Sequence, residues 1–242
     1  MRTTAHGEYL FQLTRFAPVF PVSCYLVRED DGFTLVDTNV VGSARAILDA
    51  AREAGAQIRR ILLTHSHGDH VGSLDQLHEA LPEAEMLITA RDARFLRGDK
   101  SIDPDEPQAK PRGGYPKRET APTRTLADGD RVGSLQVVAA PGHTPGQVAL
   151  FDGRDRTLIA GDAFQTRGGL AVSGILRWRF PLPAFATWHK PTALRSARAL
   201  RALEPARLAV GHGEVLADPL EAMGKAIEAA ARGRARIRLY VA

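Results

Sequence analysis

The stretch that decides the fold is Arg59–His70, with the sequence RRILLTHSHGDH. It begins as a short apolar strand and ends in a cluster of potential metal ligands, which are His65, His67, Asp69 and His70. A helical pattern over residues 72–81 follows, so the cluster falls in a strand-to-helix turn. Such a turn can point these side chains at a common centre, which neither a regular strand nor a helix does. Gly68 is predicted to permit a backbone angle that a larger residue resists.

Three later residues share the setting of this cluster, because each follows a predicted strand and has a glycine nearby. They are His143 in the segment PGHTPG, Asp162 after TLIAG and His212 after RLAVG. Taken singly, each would more often be a loop residue than a ligand. Together with the first cluster they supply five imidazoles and two carboxylates. These seven ligands exceed the capacity of one four-coordinate ion and suit two ions, provided that one carboxylate bridges and each ion keeps a position for water.

The types of ligand narrow the choice of metal without settling it. Imidazole with carboxylate suits zinc, and also iron or manganese, and the order of affinities alone does not choose among them. The absence of thiolate ligands argues against a closed structural site. A polar surface loop that merely contains histidines is the competing interpretation of residues 64–70. The matching placement of the three later residues argues against that interpretation.

Strand and helix patterns alternate along the chain in two successive halves. In the first half, strands are predicted over 8–14, 21–29, 33–37, 59–64 and 85–89, with helices over 42–55, 72–81 and 90–98. In the second half, strands are predicted over 131–141, 147–153, 157–162 and 206–213, with helices over 191–203 and from Asp218 onward. This order predicts two sheets packed face to face with helices outside. No linker separates the halves, so we expect a single domain over 1–242.

Composition excludes several classes of protein. The chain has 242 residues with 44% apolar and 25% charged residues, which is typical of a globular enzyme-sized domain. The net charge of +4 comes from scattered arginines, apart from a basic tail at residues 232–238, and this favours no nucleic-acid partner. Neither a secretion signal nor an apolar run long enough to span a membrane is evident. The single cysteine, Cys24, lies in an apolar strand and excludes an intrachain disulfide. We therefore expect a cytoplasmic protein without a membrane partner.

The motif THSHGDH, followed in order by His143, Asp162 and His212, resembles the ligand pattern of the metallo-β-lactamase superfamily. The resemblance runs from about Tyr9 to Ala230. It implies an αβ/βα sandwich of four layers, with two mixed β-sheets flanked by helices and the metals at one edge. This agrees with the strand and helix pattern, which was obtained independently of the resemblance.

The resemblance also implies a role for each ligand. His65, His67 and His143 would bind the first metal, Asp69, His70 and His212 would bind the second, and Asp162 would bridge both. Asp69 would lie next to the nucleophile, where it could also accept or relay a proton as a catalytic residue. Asp37, which ends an early strand, would support the site from behind the ligands. A plain turn residue at the end of a strand is the alternative for Asp37.

The substrate is less well determined, because members of this superfamily cleave β-lactams, lactones, thioesters and phosphodiesters. The leading interpretation is a dinuclear hydrolase that uses a metal-bridging hydroxide to cleave an ester, thioester or lactone of a small molecule. The thiol ligand of one β-lactamase group is missing, and a bridging Asp162 resembles the glyoxalase II-like and lactonase-like branch. Three alternatives remain. They are a mononuclear iron enzyme like the sulfur dioxygenases of this fold, a β-lactam or phosphodiester hydrolase, and a non-catalytic binding module.

Two segments with little periodicity, 98–123 and 163–186, are predicted to form the walls of the substrate site. The second holds aromatics that could form an apolar acyl pocket and arginines that could meet a carboxylate, which are Phe164, Trp178, Phe180, Phe185, Arg167, Arg177 and Arg179. The aromatics could equally pin the segment to the core or form a homodimer contact. The first segment carries Tyr115, Lys117 and Arg118, which either hold an anionic group or form a solvated charged run.

Overall fold

The computed structural model describes residues 1–17 and 19–239, with side chains described as far as residue 233. The first half of the chain forms a seven-stranded sheet in the order β1 to β7. Its strands are β1 (Arg2–His6), β2 (Leu10–Arg15), β3 (Val22–Glu29), β4 (Gly32–Val36), β5 (Ile58–Leu62), β6 (Glu85–Thr89) and β7 (Arg124–Leu126). The helices between them are α1 (Ala44–Glu53), α2 (Leu74–Ala80) and α3 (Ala90–Leu96). β1 to β4 pair antiparallel, and β4 to β7 pair parallel, so this sheet is mixed.

The second half forms a six-stranded sheet in the order β15, β14, β11, β10, β9 and β8. Its strands are β8 (Arg131–Val132), β9 (Leu135–Ala139), β10 (Val148–Asp152), β11 (Thr157–Ile159), β14 (Arg207–Ala209) and β15 (Leu216–Ala217). A small hairpin of β12 (Phe164–Gln165) and β13 (Ala171–Val172) stands apart from it. The helices are α4 (Leu182–Ala186), α5 (Lys190–Ala202) and α6 (Leu220–Leu239). Because β11 and β14 are parallel and the other pairs antiparallel, this sheet is also mixed.

Three apolar clusters show why the elements stack in four layers. On β3, Cys24 and Leu26 face a cluster shared with α1, α2 and α3, whereas Tyr25 and Val27 face a cluster between the two sheets. Successive residues of a strand point to opposite faces, so a strand that is apolar throughout buries both faces. A third cluster joins the second sheet to α5 and α6. The predicted αβ/βα sandwich of two mixed sheets flanked by helices is therefore confirmed.

Helix α1 illustrates how the sequence pattern sets this packing. Its buried residues Ala44, Ile47 and Ala51 recur at the spacing of one helical face. Leu48 packs against the same cluster from a half-buried position. Gly55 follows the helix at φ +87°, a backbone conformation that glycine adopts without steric cost. The helix predicted over 42–55 is therefore confirmed as α1, with an apolar face that is buried and a glycine just after its end.

Several local predictions were wrong. The predicted strand over 131–141 is a hairpin, because the chain turns at Gly133 with φ +57°. Strand β1 was not predicted, since its sequence RTTAH is polar and lies at an exposed sheet edge. Residues 163–186 are not wholly irregular, because they include β12, β13 and α4. The basic residues 232–238 belong to α6, which continues as far as Leu239.

Candidate metal centre

The seven predicted ligands lie close together at one edge of the sandwich. Residues 64–70 form the turn between β5 and α2, as predicted. His143 lies in the loop before β10, and Asp162 and His212 follow the neighbouring strands β11 and β14. Three sets of ligand atoms each fall within 4.8 Å of one another: His65 with His67 and His143, His65 with His70 and Asp162, and Asp69 with His70 and His212. The structure thus brings together every ligand candidate that the sequence singled out.

The carboxylate of Asp162 occupies the middle of the cluster. Its Oδ2 lies 3.3 Å from Nε2 of His143 and 3.1 Å from Nε2 of His212. Its Oδ1 lies 3.4 Å from Nε2 of His70. Nε2 of His212 is also 3.3 Å from Oδ2 of Asp69. One carboxylate therefore faces members of both halves of the ligand set.

Two of the imidazoles are held from behind by backbone carbonyls. Nε2 of His67 donates to the carbonyl of Arg112 at 2.8 Å, and Nδ1 of His212 donates to the carbonyl of Pro21 at 2.8 Å. A ring that donates from one nitrogen keeps a lone pair on the other. In both residues that second nitrogen, Nδ1 of His67 and Nε2 of His212, faces the cluster. The outer hydrogen bonds therefore fix the tautomer in which a ligand nitrogen is available.

Hydroxyl groups orient two further rings in the same way. The Thr64 hydroxyl donates to Asp37 at 2.8 Å, so its oxygen can accept the Nδ1 proton of His65, 3.0 Å away. Nδ1 of His143 lies 2.9 Å from the Ser173 hydroxyl, which is 2.9 Å from the hydroxyl of Thr187. These chains leave Nε2 of His65 and of His143 as the inward-facing atoms, each with a lone pair.

Asp37 supports the site from behind the ligands, as the resemblance implied. Its side chain is buried, accepts the backbone N–H of Thr64 at 2.7 Å and accepts Nδ1 of His70 at 2.8 Å. Asp37 adopts φ +63°, an unusual conformation for a residue other than glycine. The alternative of a plain turn residue is wrong, because this carboxylate ties β4 to the start of the ligand turn.

Asp92 is a functional residue that sequence reasoning missed. It is fully buried and accepts four hydrogen bonds, two from Ser66 and one each from Thr144 and Gly146. Ser66 lies between the ligands His65 and His67, and Thr144 follows His143 in the chain. Burial raises the pKa of Asp92, and the four donors oppose that shift. In the sequence, Asp92 in the first turn of α3 gave no signal beyond a favourable helix start.

Burial and mutual charge decide the protonation of the cluster. Burial lowers the pKa of His143 to about 3, and burial together with His70 lowers that of His65 well below its usual value. Burial also acts on His212, but the neighbouring Asp162 carboxylate outweighs it and raises the pKa to about 10. The pKa of His70 is also raised, because the charges of Asp162 and then Asp37 outweigh the effect of its burial. Without metal, protons on these two rings offset the carboxylates, and a bound cation would displace those protons and free the Nε2 lone pair of each ring.

The residues fit bound divalent metal on two observations. Nε2 of His65, Nε2 of His70 and Oδ1 of Asp162 are buried and make no hydrogen bond. Buried polar atoms without partners cost about 1–3 kcal/mol each, and a metal–ligand bond would remove that cost. The inward donors are imidazole nitrogens and carboxylate oxygens, which suit borderline divalent metals. The chemistry of the set therefore agrees with the metal site that the sequence predicts.

Glycine makes room for the cluster at Gly211, beside His212 as the sequence suggested, and not at Gly68. Gly68 does not adopt a positive φ, and a Cβ there would lie 3.4 Å from Pro116, which is ordinary contact. The predicted need for glycine at position 68 is therefore wrong. Gly211 is the demanding position, because a Cβ there would overlap Asp162 and lie 2.6 Å from the His70 ring. Only glycine lets strand β14 pass this close to the ligands.

A cavity of about 660 Å³ opens onto the cluster and is bounded by both segments predicted as walls. Residues 113–116 line it from the first segment, and residues 182–186 from the second. Phe20, in the loop between β2 and β3, forms a further wall that the sequence did not reveal. Its ring lies 5.3 Å from that of His212. The volume is within the range of small-molecule sites.

Several predicted wall residues lie elsewhere. Phe164 is buried in the cluster beneath α5 and α6, and Phe180 packs behind Phe20. Trp178 is 91% exposed and does not line the cavity. Among the aromatic residues of 163–186, Phe185 therefore lines the cavity. Phe164 and Phe180 are buried in the packing of the fold, and Trp178 lies on the surface.

The basic residues do not form an anion clamp either. Arg177 donates to a backbone carbonyl, that of Leu170, and Lys117 and Arg118 line a separate surface cavity. Arg167 and Arg179 are absent from the lining of the main cavity. His189, also outside the ligand set, is the N-cap residue of α5.

Comparison with known proteins identifies the family. The model of the metallo-beta-lactamase superfamily matches residues 17–212. The chain belongs to the metallo-β-lactamase superfamily. It is 49% identical to the uncharacterized protein YobT of Bacillus subtilis (strain 168), over 96% of this chain and 100% of that protein. It is 31% identical to the probable metallo-hydrolase YflN of the same organism, over 78% of each chain.

Two further similarities bear on the chemistry of this metallo-β-lactamase superfamily member. A hydroxyacylglutathione hydrolase of Rhodospirillum rubrum is 31% identical over 52% of this chain and 41% of that protein. The crystal structure of TTHA1623 in a di-iron-bound form superimposes with a TM-score of 0.65 at 28% identity, over 88% of this chain and 96% of that chain. Two of these relatives are named as hydrolases, and the chain is a hydrolase of this superfamily with a His and Asp cluster suited to divalent metals. None of the described helices is long and apolar enough to cross a membrane.

Proposed function

We propose that the chain is a dinuclear metal-dependent hydrolase that cleaves an ester, thioester or lactone bond of a small molecule. The observation that carries this proposal is the placement of Asp162. Its Oδ2 faces His143 and His212, and its Oδ1 faces His70. A carboxylate that faces both halves of a ligand set is suited to bridge two ions.

In this proposal His65, His67 and His143 hold one ion, Asp69, His70 and His212 hold the other, and Asp162 bridges them. The proximity of the ligand atoms within the first and second of these sets supports the assignment. Divalent ions in such a site lower the pKa of coordinated water and polarise the bond to be cleaved. Zinc is our leading choice of metal, and the di-iron form of TTHA1623 makes iron the main alternative.

Asp69 is the residue that we propose to handle the proton. It lines the cavity, and its side chain is 27% exposed, unlike the buried Asp162. Burial acts to raise the pKa of Asp69, but the hydrogen bond from His212 and the charge of His70 outweigh it and hold the pKa below the usual range. An ionised carboxylate beside the nucleophile can accept its proton and pass it to the leaving group.

The name of one relative and the absence of a thiol from the cluster support the type of bond that we propose is cleaved. Hydroxyacylglutathione hydrolase, which acts on a thioester by its name, matches about half of this chain. Cys24 is fully buried between β3 and the first helical layer, so no thiol is available as a ligand in the described cluster. These observations favour hydrolysis of an ester, thioester or lactone over cleavage by the group of β-lactamases that uses a cysteine ligand.

Metal analysis and a substrate panel test the proposal. We expect two equivalents of metal per chain, and turnover of thioester, ester or lactone substrates that exceeds turnover of β-lactams and phosphodiesters. Asp162→Asn and Asp69→Asn should lower kcat by a hundredfold or more while the circular dichroism spectrum is unchanged. One iron per chain with oxygen consumption would instead support a mononuclear iron oxygenase and overturn the proposal.

A further inference from the structure

Outside the ligand candidates, the side chains that line the cavity are apolar apart from the phenol hydroxyl of Tyr115. Three of these side chains are large and apolar: Phe20, Leu182 and Phe185. Tyr115 adds a ring that stacks on Phe95 with centroids 4.5 Å apart. Among the described residues that line this cavity, none is lysine or arginine. Beside the ligand candidates, the described walls therefore offer apolar contact and no lysine or arginine to pair with an anionic substituent.

Helix α4 turns its apolar face to this cavity. Leu182 and Phe185 are three residues apart and lie on the same side of the helix. They are 51% and 61% exposed, although both are large and apolar. Exposed apolar side chains that adjoin one another beside a cavity are typical of a ligand-binding groove.

The wall is also preformed. The hydroxyl of Thr187 donates to the carbonyl of Pro183 at 2.7 Å, and Thr187 is 2.9 Å from the Ser173 hydroxyl that orients His143. A single chain of hydrogen bonds thus links α4 to a metal ligand. Opposite α4, the ring of Phe20 is supported by Phe180 at 5.2 Å. Because little ordering is needed on binding, apolar contact with these walls converts efficiently into affinity.

We propose that the substrate carries an uncharged apolar acyl group that lies between Phe20 and the Leu182–Phe185 face of α4. This proposal rests on the proposed hydrolase function and narrows it to neutral acyl esters, thioesters or lactones. An acyl chain that ends in a carboxylate would lose its hydration against Phe20 and Phe185 without gaining a partner, which is costly. Such anionic substrates are therefore disfavoured.

Two matched series of substrates test the proposal on the metal-loaded full chain. The first series is p-nitrophenyl acetate, butyrate, hexanoate and octanoate, and the second ends in a carboxylate, as in p-nitrophenyl adipate and suberate. We expect kcat/KM to rise about threefold to fourfold per methylene in the neutral series until the cavity is filled. The carboxylate series should be at least tenfold poorer at equal length.

Variants locate the effect on α4. Phe185→Ala should lower kcat/KM for the octanoate ester about tenfold more than it lowers kcat/KM for the acetate ester. Phe185→Arg should raise the relative rate on the carboxylate series. Trp178→Ala is the matched control, because Trp178 belongs to the same segment, is 91% exposed and lies outside the cavity. It should behave as the parent protein does.

A binding measurement separates this proposal from the hydrolase assignment. Octanamide should raise the melting temperature of the metal-loaded protein more than suberamic acid does, and Phe185→Ala should remove the difference. Equal rates along both ester series, or equal shifts with both amides, would overturn the proposal on acyl specificity while leaving hydrolysis standing. Failure to hydrolyse any ester, thioester or lactone, together with a selective shift from octanamide, would overturn the hydrolase function and leave the apolar site.

Discussion

Asp92 and Ser66 are joined by two hydrogen bonds to one carboxylate oxygen, from the backbone N–H of Ser66 at 2.9 Å and from its hydroxyl at 3.0 Å. The same carboxylate accepts the Thr144 hydroxyl at 2.9 Å and the Gly146 N–H at 2.8 Å. Ser66 belongs to the first ligand turn, whereas Thr144 and Gly146 belong to the loop of His143. Asp92 therefore sets the distance between two ligand-bearing segments that are far apart in sequence.

Asp92→Asn should weaken metal binding without unfolding the protein. The amide has the same size but only one acceptor oxygen, and its NH₂ group faces groups that also donate. Loss of such an outer partner typically costs 10–100-fold in metal affinity. Competition with a chromophoric chelator measures the affinity, and Asp49→Asn on the exposed side of α1 is the control. An unchanged affinity in Asp92→Asn would show that Asp92 serves stability alone.

Gly113→Ala should impair the site, whereas the neighbouring Gly114→Ala should not. Gly113 adopts φ +91°, and a Cβ there would overlap Nε2 of His67 and lie 2.8 Å from Cε1. The clash would displace the ring that donates to Arg112. Gly114 has nothing within 4 Å of a built Cβ and no positive φ. Metal content after dialysis should fall in the first variant only, and equal retention in both would contradict this account.

Arg94→Ala should loosen the segment 98–123 while the metal centre stays intact. Arg94 reaches from α3 to the side chains of Asp99, Ser101 and Asp103, so it organises the start of this segment. We expect faster limited proteolysis within 98–110 and little change in melting temperature, because exposed ion pairs contribute about 0–1 kcal/mol each. Arg52→Ala, which removes a pair with Asp49 on α1, is the control and should leave the digestion pattern unchanged.

Cys24 should be unreactive in the native protein. Its thiol is fully buried, and burial raises its pKa far above the usual value, so thiolate is absent at neutral pH. A thiol-specific reagent should label no group until denaturant is added, and one group thereafter. Val41→Cys adds a thiol at a position that is 67% exposed and should react at once. Rapid labelling of the parent protein would show that β3 opens locally.

The sequence predicted the elements whose apolar periodicity is strong and missed those that depend on partners. β3 and α1 were found because apolar residues recur at the period of a strand or a helix. β1 was missed because a polar edge strand is specified mainly by its neighbour β2, to which it pairs along Arg2–His6. The short pieces β12, β13 and α4 are held by contacts from distant segments, which no local pattern shows.

The candidate site divides in the same way. The ligand candidates were predictable because imidazoles and carboxylates clustered at strand ends are rare and chemically distinctive. Asp92 and Phe20 were not, since an acidic residue in a first helical turn and a phenylalanine in an apolar loop are common. Their importance appears only when the fold brings Asp92 against Ser66 and Phe20 against His212. The basic residues of the two long segments do not line the cavity as predicted. The sequence shows that these side chains are charged, but it does not show which way they point.

Metal removal should destabilise the protein, and the size of the effect should depend on Asp162. An ion that binds only the folded state adds about 2.7 kcal/mol of stability at a hundredfold excess over its dissociation constant. For a chain of this length each kcal/mol shifts the melting temperature by about 2–4 °C. Zinc or iron added to chelated protein should therefore raise the melting temperature by about 5–10 °C for each site filled. Asp162→Asn should lose most of this rise, because the bridging carboxylate would be missing.

His78→Asn serves as the control for that experiment. His78 lies on α2 and belongs to none of the ligand sets, so its removal should leave the full rise in melting temperature. The comparison separates binding at the cluster from loose binding to any histidine. If the two variants responded equally to metal, the cluster around Asp162 would not be where the ions bind, and the assignment of all seven ligands would be wrong.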